Sequence, residues 1–428
     1  MDTRALEKLV RLLNESIYTL SPGPDKYTSL VNNIGDAQFV LLGEATHGTH
    51  EFYQARIEIT KRLIAEKGFM AVAIEGDWPD VYEIHRYLNG KGQHAKESLH
   101  SFTRFPTWMW RNETMIPFLE WLRHYNDKRN VSQQKIGFYG LDVYSLYASI
   151  QVVIEYLERV DPAAAENAKQ RYACFDHVKQ DPQSYGYQAT LEKSKSCVKA
   201  VTQQWLELQS HVLEYIKKDE FQFEEAYFNA LQNALIVKNA EHYYRSLFEG
   251  AAKSWNVRDQ HMAETFNVLI NHLEDQLKQP AKIVVWAHNS HLGDARATEM
   301  SAEGEINLGQ LIREQYPRDT FSLGFSTYEG IVTAAAAWGD PPAFKQINPG
   351  LPGSYEDLFH ALNQKEFFLL LRGNKTLEHY LKIGRLQRAI GVVYKPETEQ
   401  TSHYFFTKLP LQFDAMIHID KTSALPLL

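Results

Sequence analysis

Seven short apolar runs constrain this chain more than any other feature: "AQFVLLGE", "FMAVAIEGD", "KIGFYGLD", "KIVVWAHN", "FSLGFS", "FFLLLRG" and "AIGVVYK". Each has the length and the β-branched or aromatic content of a strand. Near-continuous apolarity belongs to strands covered on both faces, as in parallel sheets flanked by helices. Segments with apolar residues at helical spacing fall between them, such as "EFYQARIEITKRLIAEKG" and "MIPFLEWLRHYND", and this alternation is that of an α/β fold. From about 149 to 279 the strand signal stops, and long 3.6-period patterns replace it, among them "EAYFNALQNALIVKNAEHYYRSLF" and "DQHMAETFNVLINHLEDQL". The expectation is a largely parallel sheet flanked by helices, its core contributed by 1–148 and 280–428, with a helical insertion over 149–279. A chain of 428 residues exceeds the roughly 250 to 300 at which single cores tend to split, which leaves room for such an insertion.

Composition narrows the function classes. Hydrophobic residues make up 44% and charged residues 23%, the balance of a folded globular protein. A formal net charge of −8 gives no footprint for nucleic acid, which needs clustered Lys and Arg. Cys174 and Cys197 lie in helix-like sequence without CxxC or zinc-type spacing, so neither a disulfide framework nor a cysteine metal site is expected. The N-terminal "MDTRALEKLVRLLNESIY" breaks its apolar residues with charge, unlike a signal peptide, and no stretch approaches the roughly 18 apolar residues of a membrane span. A cytoplasmic protein without membrane or nucleic-acid partners is expected.

Four of the strand candidates end on acids or histidines: Glu44 and His47, Glu75 and Asp77, Asp142, and His288 and His291. A single such residue at a strand end is usually solvated or capping a helix. Four together point elsewhere, because in open α/β sheets ligands bind beyond the carboxyl ends of the strands. Glycines before Glu44, after His47 and after Glu75 suit tight turns there. The expectation is a deep active-site cleft at those ends. In it a histidine with an ordinary pKa of about 6.5 takes a proton from water while a carboxylate fixes its tautomer. The same Glu and His set, with its HxxH pair, is also the ligand chemistry of a divalent metal, so a metal-dependent hydrolase stays open beside the metal-free one. The HxxH pair lacks the helical spacing of a zincin motif.

No GxSxG elbow or GxxxxGK[ST] loop occurs, and Ser290 in "AHNSHLG" has no glycine two positions before it, so neither a serine hydrolase nor a phosphate-cradled cofactor is signalled. Trp108 and Trp110 follow Pro106 in loop-like sequence, where exposed aromatics can line an apolar ligand cleft; with Asp77 they are read as substrate contacts, and Trp121, at helical spacing with Leu119 and Leu122, as core. The polar, glycine-punctuated stretch 293–309 reads as a mobile loop over a site.

"GEATHG" followed by Arg56, "AIEGDW", "WMWRNE" and "WAHNSH" together resemble the erythromycin esterase family. The order and spacing of these motifs hold from about residue 36 to beyond 310. The resemblance implies an α/β core with a deep cleft, and hydrolysis of a macrolide lactone ester without a metal or other cofactor, the chemistry of antibiotic resistance. By motif, His47 matches the histidine that activates water, Glu44 and Glu75 the acids around it, Arg56 the active-site arginine, and His288 and His291 the late pair. Other members are labelled succinoglycan biosynthesis proteins, so the implied small-molecule substrate extends to other bulky lactones. A third alternative is a non-catalytic haem- or ligand-binding protein of the wider superfamily. Against it stands the number of ionisable groups at strand ends, since a haem pocket needs one or two axial ligands and otherwise apolar walls.

Overall fold

The computed structural model describes residues 3–130, 134–178, 181–192, 196–218 and 224–428. The strands in chain order are β1 (Ile17–Thr19), β2 (Phe39–Leu42), β3 (Ala71–Asp77), β4 (Gly137–Asp142), β5 (Ile283–Trp286), β6 (Thr320–Ser326), β7 (Glu329–Ala334), β8 (Ala343–Ile347), β9 (Glu366–Leu370), β10 (Arg385–Arg388), β11 (Tyr404–Thr407), β12 (Ala415–Ile419) and β13 (Lys421–Thr422). Eight of them form one sheet in the order β1-β9-β12-β6-β2-β5-β3-β4. The pairs β12/β6, β6/β2, β2/β5 and β5/β3 are parallel, and β9 turns antiparallel against both β12 and β1. Every residue of β2, β3 and β5 is buried, as two-sided helical cover requires. The fold is α/β with a mostly parallel central sheet flanked by helices.

Two units divide the chain. The first comprises 1–75, 84–138 and 270–428, and the second 76–83 and 139–269. The second is helical except for the ends of β3 and β4. It takes in the end of β4 and the start of the helix Trp78–Leu88, and it ends at Leu269. Tyr156, Tyr185, Tyr215, Ala234 and Val237 help to form its apolar core. Cys174 and Cys197 form a disulfide across 23 residues of sequence in this unit, which corrects the expectation of unlinked cysteines. Spacing could not reveal it, since helix packing brings the two Cα atoms to 5.9 Å. No helix among the described residues is long and apolar enough to cross a membrane.

Six of the seven predicted runs contain a strand of the sheet. "AIGVVYK" does not: Ile390 bridges Thr46 and Val393 bridges Ala335, two different partners within four residues, so no continuous ladder forms. The buried strand β12 is absent from the predicted set, because His418 and the flanking acids Asp414 and Asp420 interrupt the apolar run that marks such a strand. The stretch 293–309 is not plain loop either. It holds the 3-10 turns Ala295–Ala297 and Glu299–Glu303, and Asn307 caps the helix Leu308–Gln315 by accepting the Gln310 N–H.

Candidate active site

The turn after β2 is fixed by two glycines that have no room for a side chain. A Cβ on Gly43 would collide with the Asn289 side chain, and one on Gly48 with the backbone of Thr333 in β7. Thr333 N–H donates to the Gly48 carbonyl at 3.0 Å, and Ile390 N–H donates to that of Ala45 at 2.8 Å. This close stitching sets Glu44, His47 and the start of the helix His50–Lys67 at the carboxyl end of the sheet.

Glu44 is fully buried between two partners. Its Oε1 lies 2.9 Å from His47 Nδ1, and its Oε2 lies 2.6 Å from Arg56 Nη2. The arginine contact is close but off-line for a hydrogen bond, so its attraction is coulombic. The guanidinium carbon also stands 4.3 Å from the Tyr53 ring centroid and 5.0 Å from that of Trp286, a cation–π setting that offsets the cost of burying the charge. With a carboxylate on Nδ1, His47 holds its proton there and presents Nε2 as a lone pair. The Tyr53 hydroxyl donates to the Met109 carbonyl and, at 3.3 Å, to that of His47. Burial, and secondly the charge of Glu44, keep that phenol protonated by raising its pKa well above the usual value.

His288 faces His47 with ring centroids 4.8 Å apart. Its Nδ1 accepts the Ser290 backbone N–H at 3.2 Å, a helix cap, and lies 2.8 Å from Ser290 Oγ. Burial, and then the proximity of His47, push its pKa down to about 3, against the opposing pull of Glu75. A neutral ring whose Nδ1 accepts a hydrogen bond must carry its proton on Nε2. That atom is buried without a hydrogen-bond partner of regular geometry. The two histidines therefore hold opposite tautomers, a lone pair on one Nε2 and an N–H on the other.

Glu75 secures the later segment. Its Oε2 accepts the His288 backbone N–H at 2.9 Å, its Oε1 lies 3.4 Å from His291 Nε2, and its carbonyl accepts the Trp110 indole N–H at 2.9 Å. Asn289 donates through its backbone to the Glu44 carbonyl at 2.8 Å, tying the two segments together. The structure thus gathers Glu44, His47, Arg56, Glu75, His288 and His291 into one cluster. Asp77 belongs to the helical unit, where its Oδ1 accepts the Tyr144 N–H at 3.1 Å.

Trp108 and Trp110 are not exposed, contrary to the expectation from their loop-like context: both are almost fully buried, because the loop is pinned by Tyr53 and by Asn112, whose side chain donates to the carbonyls of Trp108 and Met109. Trp110 packs against Tyr53 and Trp286, whereas the Trp108 indole N–H is buried without an acceptor. Sequence reasoning missed Tyr53, Ser290 and Asn289 as builders of the site. Tyr53 could have been found from its i, i+3 spacing with Arg56 on one helix, whereas nothing in the sequence marks Asn289 as the link to Glu44. Among the described residues, no group of three or more His, Cys, Asp and Glu side chains is arranged to hold a metal ion.

The family model described as Erythromycin esterase matches residues 64–422. That span begins after Glu44, His47 and Arg56, so their place in the cluster rests on geometry. Erythromycin esterase type II of Escherichia coli is 23% identical over 429 residues, covering 93% of each chain. The fold is similar to the crystal structure of a succinoglycan biosynthesis protein, with a TM-score of 0.79, 22% identity and full coverage of both chains. It is also similar to a mutant of the erythromycin esterase EreC in its open conformation, with a TM-score of 0.66, 17% identity and 98% and 97% coverage. With the family match spanning most of its length and including the Glu75 and His288 segments, this chain belongs to the erythromycin esterase family.

Proposed function

We propose that the protein is a carboxylic ester hydrolase that opens a lactone by histidine-activated water. The observation that carries this reading is the facing pair of histidines, His47 with the Glu44 carboxylate on its Nδ1 and His288 with the Ser290 N–H on its own, which assigns one Nε2 as a base and the other as a hydrogen-bond donor. His47 Nε2 removes a proton from water as its oxygen attacks the ester carbonyl, a step worth roughly 10² to 10⁴ in rate. Glu44 steadies the imidazolium that forms, and Arg56 stands at its other carboxylate oxygen. The carbonyl oxygen gains charge in the tetrahedral intermediate, and the His288 Nε2–H donates to it, an interaction worth several kcal/mol in a water-poor site. Collapse breaks the acyl–oxygen bond, and the proton held by His47 passes to the departing alkoxide. Glu75 acts through position, by fixing the His288 backbone and the His291 ring.

The family membership and the named relatives support a macrolide or another bulky lactone as substrate. The test is turnover of erythromycin and of a simple p-nitrophenyl ester by the wild type and by His47→Asn. Asparagine retains hydrogen bonding but accepts no proton near neutral pH. A fall in kcat on the order of 10² or more, with folding intact, is expected. Wild-type turnover in the variant would sink the base assignment, and failure of the wild type to cleave either ester would sink the hydrolase.

A further inference from the structure

The helical unit holds a cavity of about 290 Å³ between the first turn of the helix Val198–Ser210 and one face of the helix Glu224–Ser246. Val198, Val201 and Thr202 line one side, and Lys238, His242 and Arg245 the other. The last three recur at spacings of three and four, which stacks them along one helix face. The volume is near the lower end of the range for small-molecule pockets, roughly 300 to 1,000 Å³.

The charges around this cavity are unevenly satisfied. Glu241, also in the wall, is almost fully buried, and its Oε1 accepts from Tyr185 at 2.6 Å, Ser196 at 3.0 Å and Arg245 Nε at 2.8 Å. Three donors on one oxygen leave that carboxylate well compensated. Arg245 meets it through Nε, and its two terminal nitrogens have no acceptor among the described residues. Lys238 stands over the Trp205 ring at 4.3 Å, and its nearest carboxylate oxygen, on Glu264, is 3.7 Å away, beyond hydrogen-bond length. The Lys238 and Arg245 side chains are each only 23% exposed, so their field is less screened than at an open surface. The pKa of His242 is lowered by burial and next by Arg245, which agrees with a positive field there and keeps the ring neutral.

We propose that this cavity binds a small organic anion, a carboxylate or phosphoryl group on an apolar stem, with Arg245 and Lys238 holding the anion and Val198 and Val201 the stem. The planar guanidinium offers two parallel N–H groups to such an oxyanion, and the ammonium adds a point charge. Thr202 and the neutral His242 supply further hydrogen bonds. The site lies wholly within the helical unit and does not rest on the ester-hydrolase reading.

Calorimetric titration of the full-length protein at fixed ionic strength tests this with sodium hexanoate, phenyl phosphate and the uncharged control hexanamide. Saturable binding of at least one anion, with a dissociation constant of about 1 mM or tighter, is expected, and none of hexanamide. Comparing the two anions distinguishes a carboxylate site from a phosphoryl site. Lys238→Met should weaken binding about tenfold or more, and Arg245→Met at least as much, while His47→Asn leaves it unchanged. Arg245→Met also strips a donor from buried Glu241, so Lys238→Met is the decisive variant should the other fail to fold. Trp205 fluorescence should change on binding, and that change should vanish in Trp205→Phe. The proposal is overturned if neither anion saturates below about 10 mM, if hexanamide binds equally well, or if Lys238→Met binds like the wild type.

Discussion

At the residue scale, the cluster depends on a buried ion pair. Arg56 and Glu44 are both inaccessible to solvent, so removing either leaves the other as an uncompensated buried charge. Arg56→Met should therefore destabilise the protein by about 3 to 5 kcal/mol. The double variant Arg56→Met/Glu44→Gln should recover part of that loss, because no bare carboxylate remains. Urea unfolding of the wild type, both single variants and the double variant reads the coupling directly. Additive losses would mean that the 2.6 Å contact contributes nothing, and that the cation is held by the Tyr53 and Trp286 rings alone.

At the scale of elements, the site depends on how closely the β2 turn approaches β7. Gly48 has no room for a Cβ because the Thr333 backbone occupies that space, and backbone yields less readily than a side-chain tip. Gly48→Ala should cost about 1 to 3 kcal/mol or more and displace His47 next to it, lowering kcat as well as stability. Gly304 is a useful contrast: its φ of 79° disfavours other residues, but nothing lies within 4 Å of a Cβ there. Gly304→Ala should cost about 1 kcal/mol from backbone strain and leave kcat unchanged. Thermal unfolding and turnover of the two variants separate collision from strain, and equal effects on kcat would show that the β2–β7 contact does not position His47.

For the whole molecule, buried neutral histidines set the response to acid. Burial pushes the pKa of His288 down to about 3 and that of His261 to about 4, from the ordinary 6.5. Below pH 6.5 the unfolded chain binds protons at these positions while the folded chain does not, so acid favours unfolding. Stability should fall as the pH drops from about 6.5 towards 4, each histidine contributing up to about 1.4 kcal/mol per pH unit. His261, in the helical unit, accepts a hydrogen bond from Asn239 on Nδ1 at 2.9 Å, a role glutamine can share. His261→Gln should flatten the dependence of unfolding free energy on pH by about one proton. An unchanged slope would show that His261 charges before the fold opens.

Sequence alone determined the class of the fold, and it singled out Glu44, His47, Arg56, Glu75, His288 and His291, but not Tyr53, Ser290 or Asn289, which pack with them. Burial on both faces forces a strand to be apolar along its length, so β2, β3 and β5 stand out against helical periods, and polar residues close those runs at the carboxyl end of the sheet. The strand β12 carries a histidine at position 418 among flanking acids, and the "AIGVVYK" segment divides its bonds between two partners, so both defeat a rule based on continuous apolarity. The tertiary structure decided the roles within the cluster. Glu44 and Glu75 are equivalent as sequence, yet one meets the His47 ring and the other the His288 backbone. Likewise the burial of Trp108 and Trp110, the Cys174–Cys197 disulfide and the tautomer of His288 follow from which segments pack together. Hydrogen bonds and dielectric environment act through space, over a few ångströms that residue spacing along the chain does not encode.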